Sequence, residues 1–380
     1  MTIAVPFTGN NIQVAELMKI LHRKNFLKLV LTLLVIMCAS MMMGYTASSS
    51  AEIQSVEGNF LSNKEETLLT VPYISLRNKT GSENVADFYG GERGTVSAGQ
   101  CNHSRISLDN LKLIIEKVPF YIPEDIVSLD SITQTDMDEL WSEMKQSPNG
   151  RHPTIYTHGF NIDFEKGCRR AALFQKTYDL NGRFLFFSWP SDGLITNYTR
   201  DEADVYWSAE PMQRTLSNML TQYGKGNINV VAHSLGSRGV LYALVMLGQF
   251  EAVKNPLLNQ VVFIAPDIDA GVFKQYLPLI RPLARKITVY VSANDSPLIL
   301  SHQLHGYPRL GEPGAHIEGL AGIEVIDISD ISIRSPSGHI YHLHNNAVIN
   351  DLDDLLNKDQ SASKRNNLKQ MGENYWQLQL

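Results

Sequence analysis

Cysteine is scarce in this chain: Cys38, Cys101 and Cys168 are the only three in 380 residues. That excludes a small scaffold held together by disulfides. Positive charge is not in excess either. Lys and Arg number 33 against 39 Asp and Glu, for a formal net charge of −6. The body of the chain has no long basic run, so it carries no electrostatic footprint for nucleic acid. Internal repeats and low-complexity tracts are lacking, which sets aside solenoids and arrays. What remains is an ordinary globular balance, 43% hydrophobic and 19% charged. It suffices for one large or two modest cores.

Long uncharged apolar runs are absent but for one. Leu29 to Ala47 (LVLTLLVIMCASMMMGYTA) carries no charge, with His22, Arg23, Lys24 and Lys28 before it and small residues, Ala47 to Ala51, after it. This is the layout of a secretory signal. Nineteen residues are also enough to stay in a bilayer as an anchor, although Ser49-x-Ala51 favours cleavage. With the basic residues on the N-terminal side, both outcomes place the body outside the cytoplasm. The expected location is exported, either periplasmic or membrane-anchored through this segment. Met37 precedes Cys38 where a lipoprotein needs a small residue. An oxidising compartment would permit Cys101 and Cys168 to pair, and two buried free thiols satisfy the sequence equally well.

Ala51 to Lys64 reads as a connector, Glu66 to Asn78 as a strand, and the glycine-rich Lys79 to Gly99 as a loop. Gln100 to Leu113 suggests another strand. Thr135 to Lys145 has helical spacing, with Met137, Leu140, Trp141 and Met144 on one face. From Pro153 the pattern alternates. Strands are expected at Thr154–Thr157, Arg183–Ser188, Ile228–Ala232, Gln260–Ala265, Lys286–Ser292 and Glu324–Ile328. Several are continuously apolar, as parallel strands covered on both faces are. Helices are expected at Phe164–Asp179, Ala209–Tyr223, Ser237–Leu247 and Val272–Leu277, the last ended by Pro278. The alternation predicts an α/β fold with a doubly wound, mostly parallel sheet and right-handed crossovers. Functional groups should gather at the carboxyl ends of its strands. Leu194 to Trp207 interrupts the rhythm and reads as a lid or pocket rim. The segment after Lys358 is polar, with an aromatic end at Tyr375-Trp376, and is either disordered or docked.

The chemistry concentrates at Asn227 to Leu244 (NINVVAHSLGSRGVLYAL). A buried strand, a turn at Ser234 and a helix follow one another there. Ala232-x-Ser234-x-Gly236 is close to the G-x-S-x-G nucleophile elbow, with Ala in place of the first Gly. The elbow exposes a serine hydroxyl on a tight strand-to-helix turn. It also aims backbone N–H groups and the positive helix end at one point. Taken alone, a serine helix cap satisfies the same residues. His158-Gly159-Phe160-Asn161 follows the first of the alternating strands. Its turn would offer the Phe160 N–H, and the elbow the Leu235 N–H, as the two donors of an oxyanion hole; His158 itself reads as a brace for the loop. A general base is expected late in the chain, and His339, His342 and His344 compete. His339, directly after Gly338, is favoured. These histidines lack cysteine or carboxylate partners at ligand spacing, so no metal is expected. The carboxylate that fixes the imidazole should follow one of the strands before the histidine strand. Asp295 is the first choice, and Asp267, in Ala265-Pro266-Asp267-Ile268-Asp269, is the reserve. Trp189, in FSWPSDG, reads as packing under the loop.

THGFN at Thr157–Asn161, FSWPSDG at Phe187–Gly193, AHSLGSR at Ala232–Arg238, APDID at Ala265–Asp269, SANDSPL at Ser292–Leu298 and GHIYHL at Gly338–Leu343 occur in this order. Together they resemble a bacterial family of α/β-hydrolases of unknown function whose members often carry export signals. YGGERG at Tyr89–Gly94 resembles that family's N-terminal extension. The resemblance implies the α/β-hydrolase fold and a serine hydrolase with Ser234 as nucleophile, Asp295 as acid and His339 as base. It implies no substrate. The chain is accordingly divided into residues 1–51, a signal peptide or membrane anchor, and 52–150, an N-terminal extension with strands and a helix packed on the core. Residues 151–356 are the hydrolase domain, and 357–380 a C-terminal tail. The expected reaction is cleavage of a carboxylic ester or related acyl bond, on a small-molecule or lipid-like acyl substrate, without cofactor. A non-catalytic envelope binding protein, and an acyltransferase or lyase on the same fold, are the alternatives.

Overall fold

The computed structural model describes residues 69–103, 127–145, 151–250, 255–332 and 337–379. The apolar segment Leu29–Ala47, the connector, and Gln100–Leu113 beyond His103 lie outside the described residues. Among the described residues no helix is long and apolar enough to cross a membrane.

The strands are β1 (Leu69–Lys79), β2 (Tyr89–His103), β3 (Ser131–Thr135), β4 (Thr154–Thr157), β5 (Phe184–Ser188), β6 (Asn229–His233), β7 (Leu258–Ile264), β8 (Ala284–Val291), β9 (Glu324–Asp327), β10 (Leu368–Gln370) and β11 (Tyr375–Leu378). They form one sheet in the order β10-β11-β9-β8-β7-β6-β4-β5-β1-β2-β3. From β11 to β1 every pairing is parallel; the outer pairs β1–β2, β2–β3 and β10–β11 are antiparallel. The doubly wound, mostly parallel α/β sheet expected from the alternation is therefore present. Its central strands β6 and β7 are buried along their whole length, because helices cover both faces.

The helices are α1 (Met137–Lys145), α2 (Phe164–Thr177), α3 (Tyr198–Trp207), α4 (Ala209–Tyr223), α5 (Gly236–Phe250), α6 (Ala270–Ile280), α7 (Ser296–His305) and α8 (Asn346–Lys358). Alternate strand residues divide between two cores. Ile155, Val230, Val261 and Val289 pack with Leu216 of α4, Leu244 of α5 and Phe273 of α6. Tyr156, Val231, Val262 and Tyr290 pack with Phe174 of α2 and Leu352 of α8.

Two local readings are corrected, and the tail takes the docked of its two alternatives. Lys79–Gly99 is mostly the long strand β2 rather than a loop. Its glycines permit close approach instead of breaking the strand: a Cβ at Gly94 would overlap the Arg77 carbonyl, and one at Gly99 the Thr133 carbonyl. The pairing of β1 with β2 shifts register between Ser75 and Arg77 and again before Lys79, which accommodates the crowding. Helix α6 runs through Pro278 to Ile280, since buried Leu277 and Ile280 hold the last turn on the core. The tail adds two strands, with Tyr375 and Trp376 of β11 registered against Val325 and Ile326 of β9. The N-terminal extension is likewise built into the sheet through β1, which pairs with β5.

Candidate active site

The strand order reverses beside β4: β5 lies on one side of it and β6 on the other. A crevice at the carboxyl ends of the strands is expected at such a switch point, and the two loops that leave β4 and β6 meet there. Ser234 follows β6 with φ of 52°, a left-handed conformation that costs a non-glycine residue about 1–3 kcal/mol. Three backbone hydrogen bonds hold it. Its N–H donates to the Ile264 carbonyl at 3.0 Å, and its own carbonyl accepts from Ser237 at 3.0 Å and Asp267 at 3.2 Å. Gly159 in the β4 loop lies against it, where a Cβ would come 2.7 Å from the Ser234 Cβ. A Cβ at Gly236 would overlap the His158 carbonyl oxygen. The small residues on both loops are thus what lets them touch. Neither the Phe160 nor the Leu235 N–H has an acceptor among the described residues.

The β4 loop is braced from beneath. The His158 ring stacks on Trp189, centroids 4.9 Å apart, and the Trp189 indole N–H donates to the His158 carbonyl at 2.8 Å. Burial, with Arg77 beside it, holds the His158 imidazole well below its ordinary pKa. It is a neutral structural ring. Arg77 of β1 is also buried and donates to Ser188 Oγ at 2.8 Å, to the Ile162 carbonyl at 2.7 Å and to the Ser191 carbonyl. Burial lowers its guanidinium to about 10. Asp201 of α3 accepts from the Asn161 N–H at 3.3 Å and from Ser191 Oγ, and burial pushes its carboxyl up to about 6.

Asp295 and His339 come together. His339 Nδ1 lies 2.7 Å from Asp295 Oδ2 and 2.9 Å from Oδ1. Asp295 is wholly buried and caps α7 through the Leu298 N–H at 3.1 Å. The two segments are clamped: Ser296 N–H donates to the Ser337 carbonyl at 3.1 Å, and a Cβ at Gly338 would overlap the Asn294 carbonyl. The histidine loop reaches the elbow through His233, the residue before Ser234. His233 Nε2 lies 3.2 Å from the His339 carbonyl, and the two rings are 4.7 Å apart. The hydrogen bonds of the His339 ring among the described residues are those of Nδ1 to Asp295, and none of them joins the ring to Ser234 Oγ. His342 is fully buried, both of its nitrogens lacking a hydrogen-bond partner among the described residues; burial keeps it neutral. His344 is buried as well.

The reserve acid Asp267 is held elsewhere. Its carboxylate meets Arg309 Nε at 2.9 Å, Ser301 Oγ at 2.6 Å, Arg238 Nη2 at 3.2 Å and the Tyr198 hydroxyl. Burial raises this carboxyl, but Arg238 and Arg309 outweigh burial and leave it below the usual range. The Leu194–Trp207 segment is largely α3, which packs over this network. Sequence reasoning missed Arg77, Asp201, His233 and Arg309. The first two and the last carry no motif; His233 lies inside the elbow and was read only as part of its turn. Among the described residues no cluster of His, Cys, Asp or Glu is arranged for a metal ion.

A parallel sheet with a serine on a left-handed strand-to-helix turn, beside a carboxylate-bound histidine, is the plan of an α/β-hydrolase. The chain belongs to the alpha/beta hydrolase family of unknown function DUF900, which matches residues 133–358. An uncharacterized protein, alr1448 of Nostoc, is 28% identical over 122 residues, covering 26% of this chain and 32% of its own length. The chain thus spans about a third of that curated relative. Among solved structures it is similar to a CIB-like hydrolase of Thermoplasma acidophilum (13% identity, TM-score 0.33, 56% of this chain and 89% of the other). The lin2722 product of Listeria innocua gives 15%, 0.33, 60% and 98%. The carboxylesterase CesB of Bacillus subtilis gives 13%, 0.30, 57% and 86%.

Cys101 of β2 and Cys168 of α2 form a disulfide across 67 residues of sequence. Such bonds persist in oxidising compartments, so the pairing points to a location outside the cytoplasm.

Proposed function

We propose that this protein is an exported serine hydrolase that cleaves a carboxylic ester or related acyl bond through an acyl-enzyme. The observation that carries the reading is the buried Asp295 carboxylate on His339 Nδ1, at the same strand ends as the Ser234 elbow. The carboxylate fixes the tautomer that leaves Nε2 as the base and stabilises the imidazolium once formed. Ser234 Oγ attacks the acyl carbonyl while its proton passes to His339 Nε2. The Phe160 and Leu235 N–H groups take the developing oxyanion, each worth about 3–4 kcal/mol. The tetrahedral intermediate collapses, and the alcohol leaves with the proton from His339. Water, deprotonated by the same ring, attacks the acyl-serine and releases the acid. Asp267 serves the arginine network and not the imidazole. The N-terminal apolar segment would carry the protein to, or hold it at, the membrane.

An active-site phosphonate tests the reading. Labelling is expected at Ser234, absent in Ser234→Ala and slowed in His339→Ala. Ester hydrolysis that persists undiminished in Ser234→Ala overturns it. Product analysis with an added alcohol separates hydrolysis from acyl transfer.

A further inference from the structure

A cavity of about 230 Å³ has walls that include Arg238 and Leu241 of α5, the helix that follows the elbow, with Tyr242, Val272, Tyr206 and Arg309. Arg309 is its unusual member. It is only 2% exposed, and its Nε donates to Asp267. Nη1 and Nη2 have no acceptor among the described residues. A guanidinium with an open donor edge facing a cavity is geometrically matched to an oxyanion.

The acidic groups nearby are already committed. Asp267 is held by two guanidiniums and two hydroxyls. Glu202 is bonded to Arg238 Nη1 and lies 3.4 Å from His305 Nε2. Asp269 caps α6 through Gly271 N–H at 2.8 Å and Val272 N–H at 3.0 Å. The Arg238 donors are likewise taken by Asp267, Glu202 and the Tyr198 hydroxyl. Arg309 offers the charged donors to a newcomer, beside the hydroxyls of Tyr242 and Tyr307, while Leu241 and Val272 supply apolar walls for a short hydrocarbon. The cavity is smaller than a site for a whole drug-sized ligand, so it suits one end of a molecule.

One residue ties it to the serine: the Asp267 N–H reaches the Ser234 carbonyl at 3.2 Å, and the Asp267 carboxylate holds Arg309. Tyr198, which donates to Asp267, also packs its ring on Phe160, centroids 5.1 Å apart. We propose that this cavity is a subsite for the anionic end of the substrate, a carboxylate or phosphate group seated on the Nη edge of Arg309. That the ligand is a substrate rests on the hydrolysis proposed above; that the cavity binds an anion does not.

Calorimetric titration of the full-length Ser234→Ala protein tests the binding without catalysis. The probes are glutarate, inorganic phosphate and neutral glutaramide. Saturable one-to-one binding of glutarate or phosphate is expected, with glutaramide at least tenfold weaker; which anion binds tells the two sources apart. Arg309→Gln should weaken binding at least tenfold. Val272→Trp, which fills the cavity and leaves Arg309 and its bond to Asp267 in place, should do the same, and it decides the matter should Arg309→Gln fail to fold. Absence of anion binding to the folded parent, equal binding of glutaramide, or undiminished binding in the folded variants overturns the subsite. Phosphonate labelling of wild-type Ser234 is read separately, so loss of one claim does not hide the other.

Discussion

Replacing Asp295 by Asn isolates what the carboxylate does. The aspartate performs two tasks: it accepts from the His339 ring at 2.7 and 2.9 Å and from the Leu298 N–H at 3.1 Å. Asn has a single acceptor oxygen. If it turns that oxygen to Leu298, its NH₂ faces the ring and selects the tautomer with the proton on Nε2, which cannot take a proton from Ser234. If it turns the oxygen to the ring, the cap is lost. The structural loss is one hydrogen bond, about 1 kcal/mol. The catalytic loss follows the wrong tautomer, about 10,000-fold in kcat in triads of this design, or about 5.4 kcal/mol of transition-state stabilisation. The signature is this disproportion. Stability is read from urea denaturation and kcat from a chromogenic acetate ester. Asp267→Asn should show the reverse, because removing one partner of a buried ion pair costs about 3–5 kcal/mol of stability while leaving the imidazole oriented. An Asp295→Asn enzyme within tenfold of wild type, or an Asp267→Asn enzyme that folds normally and loses four decades of kcat, would refute the assignment of the acid.

Gly236→Ala places a methyl on the His158 carbonyl oxygen; overpacking of this kind costs about 1–3 kcal/mol. Both the urea midpoint and kcat/KM should fall, and unchanged values would mean the two loops are not in firm contact. Removing the Cys101–Cys168 bond by a double Ala replacement releases a loop of 67 residues, a loss of about 4 kcal/mol on the chain-entropy account. An unaltered midpoint under reducing conditions would contradict that. The Asp201 carboxyl, raised to about 6 from 3.8 by burial, adds stability when protonated, below about pH 3.8, and this is lost as pH rises through about 6. The stability of wild type minus that of Asp201→Asn should therefore fall by up to about 3 kcal/mol between pH 4 and 7. His158, His233 and His342 are held neutral by burial and act oppositely, losing stability as pH drops below about 6.5. They do so in both proteins, so a flat difference curve would tell against the buried Asp201.

The sheet was legible because its central strands obey the rule for strands buried on both faces: Val230, Val231, Val261 and Val262 leave no polar alternation to misread. The elbow was legible because crowding demands small residues at fixed offsets, and Gly159 and Gly236 are the positions where a Cβ would collide. Pairings between distant segments were not. Cys101 and Cys168 meet because β2 packs beside α2, and nothing local encodes that. In sequence only strand order favours Asp295 over Asp267, since each follows a strand. Space separates them: Asp267 is surrounded by Arg238, Arg309, Tyr198 and Ser301, and Asp295 faces His339. The β2 glycines were misread for a related reason. Glycine signals a turn in isolation, but the same residue is needed wherever another backbone comes close.

The reach of the site exceeds the segment that matches the family. That match begins at residue 133, whereas Arg77 lies in β1, added to the sheet beside β5. Its guanidinium contacts the Ile162 carbonyl after the β4 loop, Ser188 at the end of β5, the Ser191 carbonyl after it, and the His158 ring. The loop that would present the Phe160 N–H therefore takes its shape from a side chain contributed by the N-terminal strands. Oxyanion stabilisation depends on donors fixed before the charge appears. A loop with φ of 60° at Asn161 and glycine at its apex has little local reason to hold one conformation. Arg77, His158 and Trp189 supply that reason by spending buried donors on its carbonyls, and the Asp201 carboxylate accepts from its Asn161 N–H. The N-terminal extension is on this argument part of the scaffold of the proposed site, joined to it by the same disulfide that links β2 to α2.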